Sequence, residues 1–311
     1  MSYAMKIKFL GAIDTVTGSR TGSEYQGKKY LIDCGLFQGP AEIRSRNRIP
    51  FPDADKYEAL ILTHAHIDHT GYIPKLVKEG FKGKIFSTPE TREITQLMLE
   101  DLLRVQKNHA MRDGNENKPP LFEEKHIHQT FALWKTFSYH DSFSIDTAES
   151  GTGANNFSIE FLDAGHILGS AMVKITHGDK KILFTGDTGN SPSPLIKDTE
   201  TIKGIDYLII DSVYGDRNHE SKSERGKHFA EIVRESIARK GALVIPAFSL
   251  ERTQILLYEL DKLVETGKIP SVPVFLDSPL AIKLTSIYKK SIKLFNKEVS
   301  EEMESDDVFN F

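Results

Sequence analysis

Residues 63–69 read Thr63-His64-Ala65-His66-Ile67-Asp68-His69, with three imidazoles and a carboxylate in one short segment. In an extended chain, side chains two apart project to the same side, so His64 and His66 can grip one ion. Once the chain turns into a helix, Asp68 and His69 can reach a second ion close by. Imidazole suits zinc, and the carboxylate adds the negative charge that two neighbouring dications require. These residues do not fill two coordination shells, so further ligands must come from elsewhere. Two stretches offer them: Leu162-Asp163-Ala164-Gly165-His166-Ile167-Leu168-Gly169-Ser170 and Phe184-Thr185-Gly186-Asp187-Thr188-Gly189. Each sets a metal-binding side chain among glycines, whose missing Cβ permits close approach of the backbone to an ion. A dinuclear centre accounts for all three segments. A solvated His-rich turn is the plainer reading, disfavoured because the cluster directly follows a buried apolar strand.

Groups so far apart in sequence have to be carried by strand ends. Ala4 to Leu10, Ser23 to Tyr25 and Lys29 to Asp33 are expected strands, the last two joined by the Gln26-Gly27-Lys28 turn. Tyr57 to Thr63 reads as a buried strand that stops at the histidines, and Gly71 to Glu79 as a helix ended by Gly80. The spacing of Ile94, Leu97, Met98, Leu102 and Val105 predicts a helix over Pro89 to His109 with those residues on its buried face. Residues 111–120 read as a polar loop, and Glu123 to Lys135 as a second helix with Trp134 in its core. Strands are expected at Phe157 to Leu162, Ala171 to His177 and Lys181 to Thr185, then a buried one at Tyr207 to Asp211. From 216 onward helix and strand alternate: helices at Glu224 to Arg239, Arg252 to Glu265 and Leu280 to Lys290, strands at Ala242 to Pro246 and Val272 to Leu276. That rhythm predicts an α/β arrangement with a parallel sheet, and a domain boundary near 215.

A length of 311 residues suits about two domains, and 39% hydrophobic with 27% charged residues is the composition of a folded globular chain. Lys and Arg number 40 against 44 Asp and Glu, a net charge of −4, so bulk positive charge cannot be what holds a nucleic acid. The single cysteine, Cys34, reads as a small buried residue at a strand end; alone it forms no internal disulfide, which fits a reducing compartment. No apolar stretch is long enough to span a membrane, and Met1 to Lys6 lacks the pattern of a secretory leader. A cytoplasmic location is the expectation.

In these segments the chain resembles the metallo-β-lactamase superfamily, and specifically its β-CASP branch of nucleic-acid-processing hydrolases. Residues 58–71, 161–171 and 183–190 match the superfamily's metal motifs in order. Asp211-Ser212-Val213-Tyr214-Gly215-Asp216-Arg217 is similar to the branch's first diagnostic acidic motif. Ile245-Pro246-Ala247-Phe248-Ser249-Leu250-Glu251-Arg252-Thr253-Gln254 and Phe275-Leu276-Asp277-Ser278-Pro279-Leu280-Ala281 resemble its inserted domain. The resemblance implies an α/β fold in two domains. Residues 1–215 would form a metallo-β-lactamase αββα sandwich, and 216–311 an inserted β-CASP domain, a parallel sheet flanked by helices and incomplete at the C-terminus.

The same resemblance implies two zinc ions, one held by His64, His66, His166 and Asp187, the other by Asp68, His69 and the same Asp187 as bridge. Asp211 would orient a ligand or assist proton transfer beside them, so Asp68 and Asp211 are the candidate catalytic residues. A hydroxide shared by the ions would attack phosphorus. The implied activity is that of a zinc-dependent ribonuclease, of endo or exo type, acting on single-stranded RNA in the cleft between the two domains, with no membrane partner and with homodimer formation allowed. Arg217, Ser249, Arg252 and Ser278, at strand ends or a helix start, are candidate substrate contacts.

Three departures from the family pattern stand out. Asp211 replaces the glutamate more usual in bacterial members. Glu251 stands where many members have glycine, and a carboxylate is unhelpful beside a phosphate path. Family members also carry two more histidines after the inserted domain, one a ligand of the second metal and one linked to leaving-group protonation. Here the sequence ends at Phe311 before them, and His109, His126, His128, His140, His177, His219 and His228 read as structural or solvated. The expectation is a fragment of a longer protein with a weakened second zinc site. Two other readings remain: hydrolysis of a different ester or thioester, and a non-catalytic RNA-binding scaffold. The Asp211 motif and the helix–strand domain argue against the first, the complete ligand set against the second.

Overall fold

Short strands dominate the first part of the chain. β1 (Lys6–Phe9), β2 (Thr21–Tyr25) and β3 (Lys28–Ile32) pair antiparallel, and after the short helix α1 (Ala41–Ser45) the chain returns as β4 (Tyr57–Ile61), parallel to β3. α2 (Ile67–Thr70) and α3 (Ile73–Lys78) lead to β5 (Lys84–Ser87); α4 (Pro89–Arg112) and α5 (Glu124–Ala132) lead to β6 (Trp134–Thr136). These six strands form one sheet in sequential order. A second sheet runs β7 (Ser142–Phe143), β8 (Phe157–Asp163), β9 (Ala171–His177) and β10 (Lys180–Phe184), all antiparallel, with β11 (Tyr207–Ile209) parallel to β10 at its edge. The computed structural model describes residues 5–25, 27–112, 119–145, 157–218, 222–305 and 309. By internal contacts it divides into two compact units, 1–191 with 198–211, and 192–197 with 212–311.

The two sheets pack face to face. Tyr30, Ile32, Ala59, Ile61 and Phe86 of the first meet Phe143, Ile159, Phe161, Val173, Ile175 and Phe184 of the second. Because side chains alternate along a strand, Leu31, Leu60 and Ile85 point the other way, onto Ile73 and Leu76 of α3. β4 is thus covered on both faces beyond its exposed Glu58, which is why Ala59-Leu60-Ile61 is an unbroken apolar run. The outer face of the second sheet, with Leu162, Met172 and Leu183, is covered by Ile202 and Ile205.

Several expectations need correcting. α4 buries Thr91, Ile94, Thr95, Leu99 and Leu103, while Leu97, Met98, Leu102 and Val105 are only half-buried. The buried stripe includes threonines, so apolar type alone selected a face rotated from the real one. The second helix ends at Ala132, and Trp134 belongs to β6, with its ring N–H donating to Ser87 Oγ at 2.8 Å. The segment from Tyr207 is an edge strand rather than a buried one, with Tyr207, Leu208 and Ile210 exposed. Parts of the 111–120 loop, 113–118, lie outside the described residues, as does His219.

In the second unit, α6 (Lys222–Ala238), α7 (Arg252–Glu265), α8 (Pro279–Lys290) and α9 (Lys297–Ser305) form where helices were expected or beyond. A small core joins Ala230 and Val233 to Leu260, Leu263 and Ile269. The expected strands 242–246 and 272–276 pair in no ladder among the described residues. Val244 and Phe275, 84% and 88% exposed, have no strand beside them to pack on. Among the described residues no helix is long and apolar enough to cross a membrane.

Candidate metal centre

All three metal-binding segments lie just beyond strand ends at the same edge of the sandwich core. His64 follows β4, His66 caps α2, and Asp68 and His69 lie in its single turn. His166 follows β8, and Asp187 follows β10. Glycines let these loops meet. A Cβ on Gly189 would lie 1.8 Å from the Gly165 carbonyl oxygen, and one on Gly186, whose φ is +56°, only 2.6 Å from Thr63 Cβ. The close approaches seen at these two glycines are to the Gly165 backbone and to Thr63, so their missing Cβ is a packing demand of the loops.

One donor atom from each of His64, His66, His166 and Asp187 falls within 4.8 Å of all the others. His66 Nδ1 is 3.1 Å from His64 Nε2 and 3.2 Å from His166 Nε2; Asp187 Oδ2 is 3.8 and 3.6 Å from the same two nitrogens. A tetrahedral zinc with ordinary nitrogen and oxygen bond lengths separates its ligands by about 3.3 Å. The donor set therefore fits such an ion in number, type and spacing. The other carboxylate oxygen, Asp187 Oδ1, turns to His69 Nε2 at 3.3 Å. One carboxylate thus faces two groups of histidines.

Hydrogen bonds fix which ring nitrogens are free. Thr63 Oγ1 donates to Asp33 Oδ2 at 2.8 Å, so it can only accept from His64 Nδ1 at 3.0 Å. That leaves the lone pair of His64 on Nε2, toward the cluster. Asp33 also accepts from the Thr63 amide and sits 2.8 Å from His69 Nδ1, directing His69 Nε2 toward Asp187. A carboxylate behind a histidine is the usual support of a metal ligand. Asp33 and Thr63 were not among the sequence candidates. The signal for Asp33 lies in Ile32-Asp33-Cys34-Gly35, an aspartate at a strand end; the neighbouring Cys34 is buried, with its thiol pushed up to about 12 by burial.

The electrostatics differ across the cluster. Burial, then the neighbouring rings, holds His64 well below the ordinary value and His66 at about 3; burial likewise lowers His166. These three rings are neutral at neutral pH. Burial would lower His69 too, but Asp33 and Asp187 outweigh it and raise its pKa well above the ordinary value. Burial raises Asp187, yet hydrogen bonding and the charge of His69 bring it down to about 2. Asp68 is half-buried, and burial pushes its carboxyl upward. Asp211 lies close enough for its charge to act on His166, and its amide donates to Thr185 Oγ1 at 3.2 Å.

The other candidates lie in the second unit. Ser249 Oγ and Ser278 Oγ are 3.4 Å apart, and Ser278 caps α8 by accepting from the Ala281 amide. Arg252 is exposed at the start of α7, and Arg217 is exposed and paired with Asp216 at 2.8 Å. Glu251 corrects an expectation: it is buried, and its carboxylate accepts from the Tyr288 hydroxyl rather than facing a phosphate path. Its φ of +62° explains why glycine suits the position. Of the other histidines, His126 Nδ1 accepts from the Glu123 amide, His140 pairs with Glu200 at 3.2 Å, and His177 packs tilted against the Tyr25 ring.

A model of the metallo-beta-lactamase superfamily matches residues 24–222, and one of the Beta-Casp domain matches 253–311. Ribonuclease TTHA0252 of Thermus thermophilus is 32% identical over 296 residues, 95% of this chain and 63% of that protein. Cleavage and polyadenylation specificity factor 73 of Drosophila melanogaster is 28% identical over 99% of this chain and 43% of its own length. Endoribonuclease YSH1 of Kluyveromyces lactis is 24% identical over 93% of this chain and 38% of its own length. The chain therefore spans less than two thirds of the length of each of these relatives.

Proposed function

The chain belongs to the metallo-beta-lactamase superfamily, in its β-CASP branch, and on that premise we propose that it is the metal-binding part of a ribonuclease that hydrolyses RNA phosphodiester bonds with two zinc ions. The observation that carries the reading is the convergence of His64, His66, His166 and Asp187 at tetrahedral spacing, with Asp187 also turned to His69. His64, His66 and His166 would hold the first ion through lone pairs that burial keeps free of protons. Asp187 would be shared with a second ion held by Asp68 and His69, with Asp33 fixing the orientation of His69. When bound, the ions supply a nucleophile at neutral pH and positive charge opposite the phosphoryl oxygens.

The protein's own groups then handle protons and orientation. Asp68, whose carboxyl burial pushes upward, can take a proton from the attacking water, and Asp211 near His166 can orient a ligand or pass a proton on. Arg217, Arg252, Ser249 and Ser278 are proposed to contact the phosphate chain. The net charge of −4 makes the metal ions the main source of local positive potential for a single-stranded RNA. A cytoplasmic location belongs to the same proposal, resting on the lone buried Cys34.

The test is cleavage of a labelled single-stranded RNA by the zinc-loaded chain, with His66→Ala and Asp187→Asn beside it. Metal-dependent cleavage that each substitution reduces by roughly 10²-fold or more supports the reading. Cleavage that survives a chelator or both substitutions contradicts it.

A further inference from the structure

Arg20 is a guanidinium inside the first unit, 6% exposed, with no part in the chemistry above. Burying a charge is costly unless it is held by hydrogen bonds and polarisable faces. Its Nε and Nη2 both donate to the Gly35 carbonyl, at 2.9 and 2.8 Å, and Nη2 reaches Asn47 Oδ1 at 3.5 Å. The Tyr72 ring lies 4.0 Å from the guanidinium carbon and the Phe37 ring 4.8 Å.

The carbonyl it grips belongs to a residue pressed against the metal segment. A Cβ on Gly35 would lie 1.5 Å from the Asp68 carbonyl oxygen and 2.6 Å from the His69 nitrogen. Backbone bonds run along the same contact: Cys34 N–H to His69 O at 2.7 Å, Leu36 N–H to Ile67 O at 3.0 Å, and Ser19 N–H to Asp68 O at 2.8 Å. Gly35 N–H in turn donates to Ser19 O at 3.0 Å. Residues 33–36 are thus a rail on which the backbone of 67–69 is laid, and a two-pronged donor pins the rail at its tightest point. His64 takes its tautomer from Thr63, which meets the rail only at the Asp33 side chain, and His166 and Asp187 stand on the loops after β8 and β10.

We infer that Arg20 is a positioning residue for the Asp68–His69 half of the metal centre, acting through the Gly35 carbonyl. The inference rests on the two-ion reading above. Its test is a zinc titration of the metal-free full chain, comparing wild type with Arg20→Met, Arg20→Lys and Tyr72→Phe. The last removes hydroxyl bonds to Ile49 and Glu79 but keeps the ring under the guanidinium.

Arg20→Met weakens the second ion by roughly 10- to 100-fold, the range seen when support behind a ligand is lost, and leaves the first within about twofold. Arg20→Lys, which keeps the charge but not the fork, falls between Arg20→Met and wild type. Tyr72→Phe lowers thermal stability with both affinities unchanged. In the metal-free chain, Arg20→Met speeds amide exchange at Cys34 and Leu36 about tenfold while the β4 amides keep their protection.

Equal weakening of both ions, or an unchanged second ion with unchanged exchange, overturns the inference. A wild-type chain that takes up one ion or none refutes the two-ion reading itself, and amide exchange then still decides whether Arg20 holds 67–69 in place.

Discussion

His64, His66 and His166 face one another as neutral rings, whereas His69, a few ångströms away, is flanked by the carboxylates of Asp33 and Asp187 and favours its protonated form. Under the proposed two-ion reading both arrangements would serve metal binding, but at different cost. The first half is ready for an ion as it stands, since burial has already removed the protons an ion would compete with. The second half, in the metal-free protein, satisfies its carboxylates with a proton on His69. An ion entering there must displace that proton. Metal affinity is then coupled to pH in one half and almost uncoupled in the other. Asp187 belongs to both, with one oxygen toward each.

The largest effect follows from that shared position. Asp187→Asn takes a charged ligand from both halves at once, and metal analysis should find neither ion retained after desalting; retention of one full equivalent would show that the halves are independent of Asp187. Next comes Asp33→Asn, which touches His69 directly and His64 only through Thr63. It removes the carboxylate behind His69, so the second ion should weaken by roughly 10- to 100-fold while the first weakens by a few-fold at most. Calorimetry resolving two binding steps checks this, and equal loss in both steps would erase the distinction drawn here.

The pH dependence sharpens the comparison without any mutation. Below the raised pKa of His69, each unit of acidification should weaken the second ion about tenfold, one proton being displaced per ion. The first ion should change less over the same range, because burial lowers the pKa of His64, His66 and His166 and Asp187 is held at about 2. In the metal-free protein the sign is the reverse. His69 is raised, so its ion pairs contribute stability in full below the ordinary value of 6.5 and lose it as pH rises through the folded value. His69→Gln should flatten that part of a stability-versus-pH curve; an unchanged curve would mean that His69 is not protonated in the folded protein. The smallest effect is expected for Thr63→Val, which frees the His64 tautomer and should weaken the first ion only a few-fold, on the order of one hydrogen bond.

The same contrast explains what could be read from sequence. His64, His66, Asp68 and His69 are legible because their geometry is local: strand and helix periodicity alone put them on one side. Asp33 is not, since its role depends on the register of β3 against β4, with Ile32 opposite Ile61, which brings it beside Thr63. Arg20 was invisible for a like reason, its partner Gly35 being set by the fold and not by spacing. Strands of the first unit were found from their apolar runs because each run had a neighbour to pair with. Segments 242–246 and 272–276 carry the same pattern, yet pairing is non-local, and no described strand lies alongside them. For α4 the missing information was burial of Thr91 and Thr95, polar by type but placed inside by tertiary packing.

The most direct measurement is the zinc stoichiometry of the chain across pH, followed by calorimetry from metal-free protein. Two ions per chain, the tighter with no proton released and the weaker with one, is the predicted result. A single class of site, or two sites that release protons equally, would contradict the division of the centre into a deprotonated half and a protonated one.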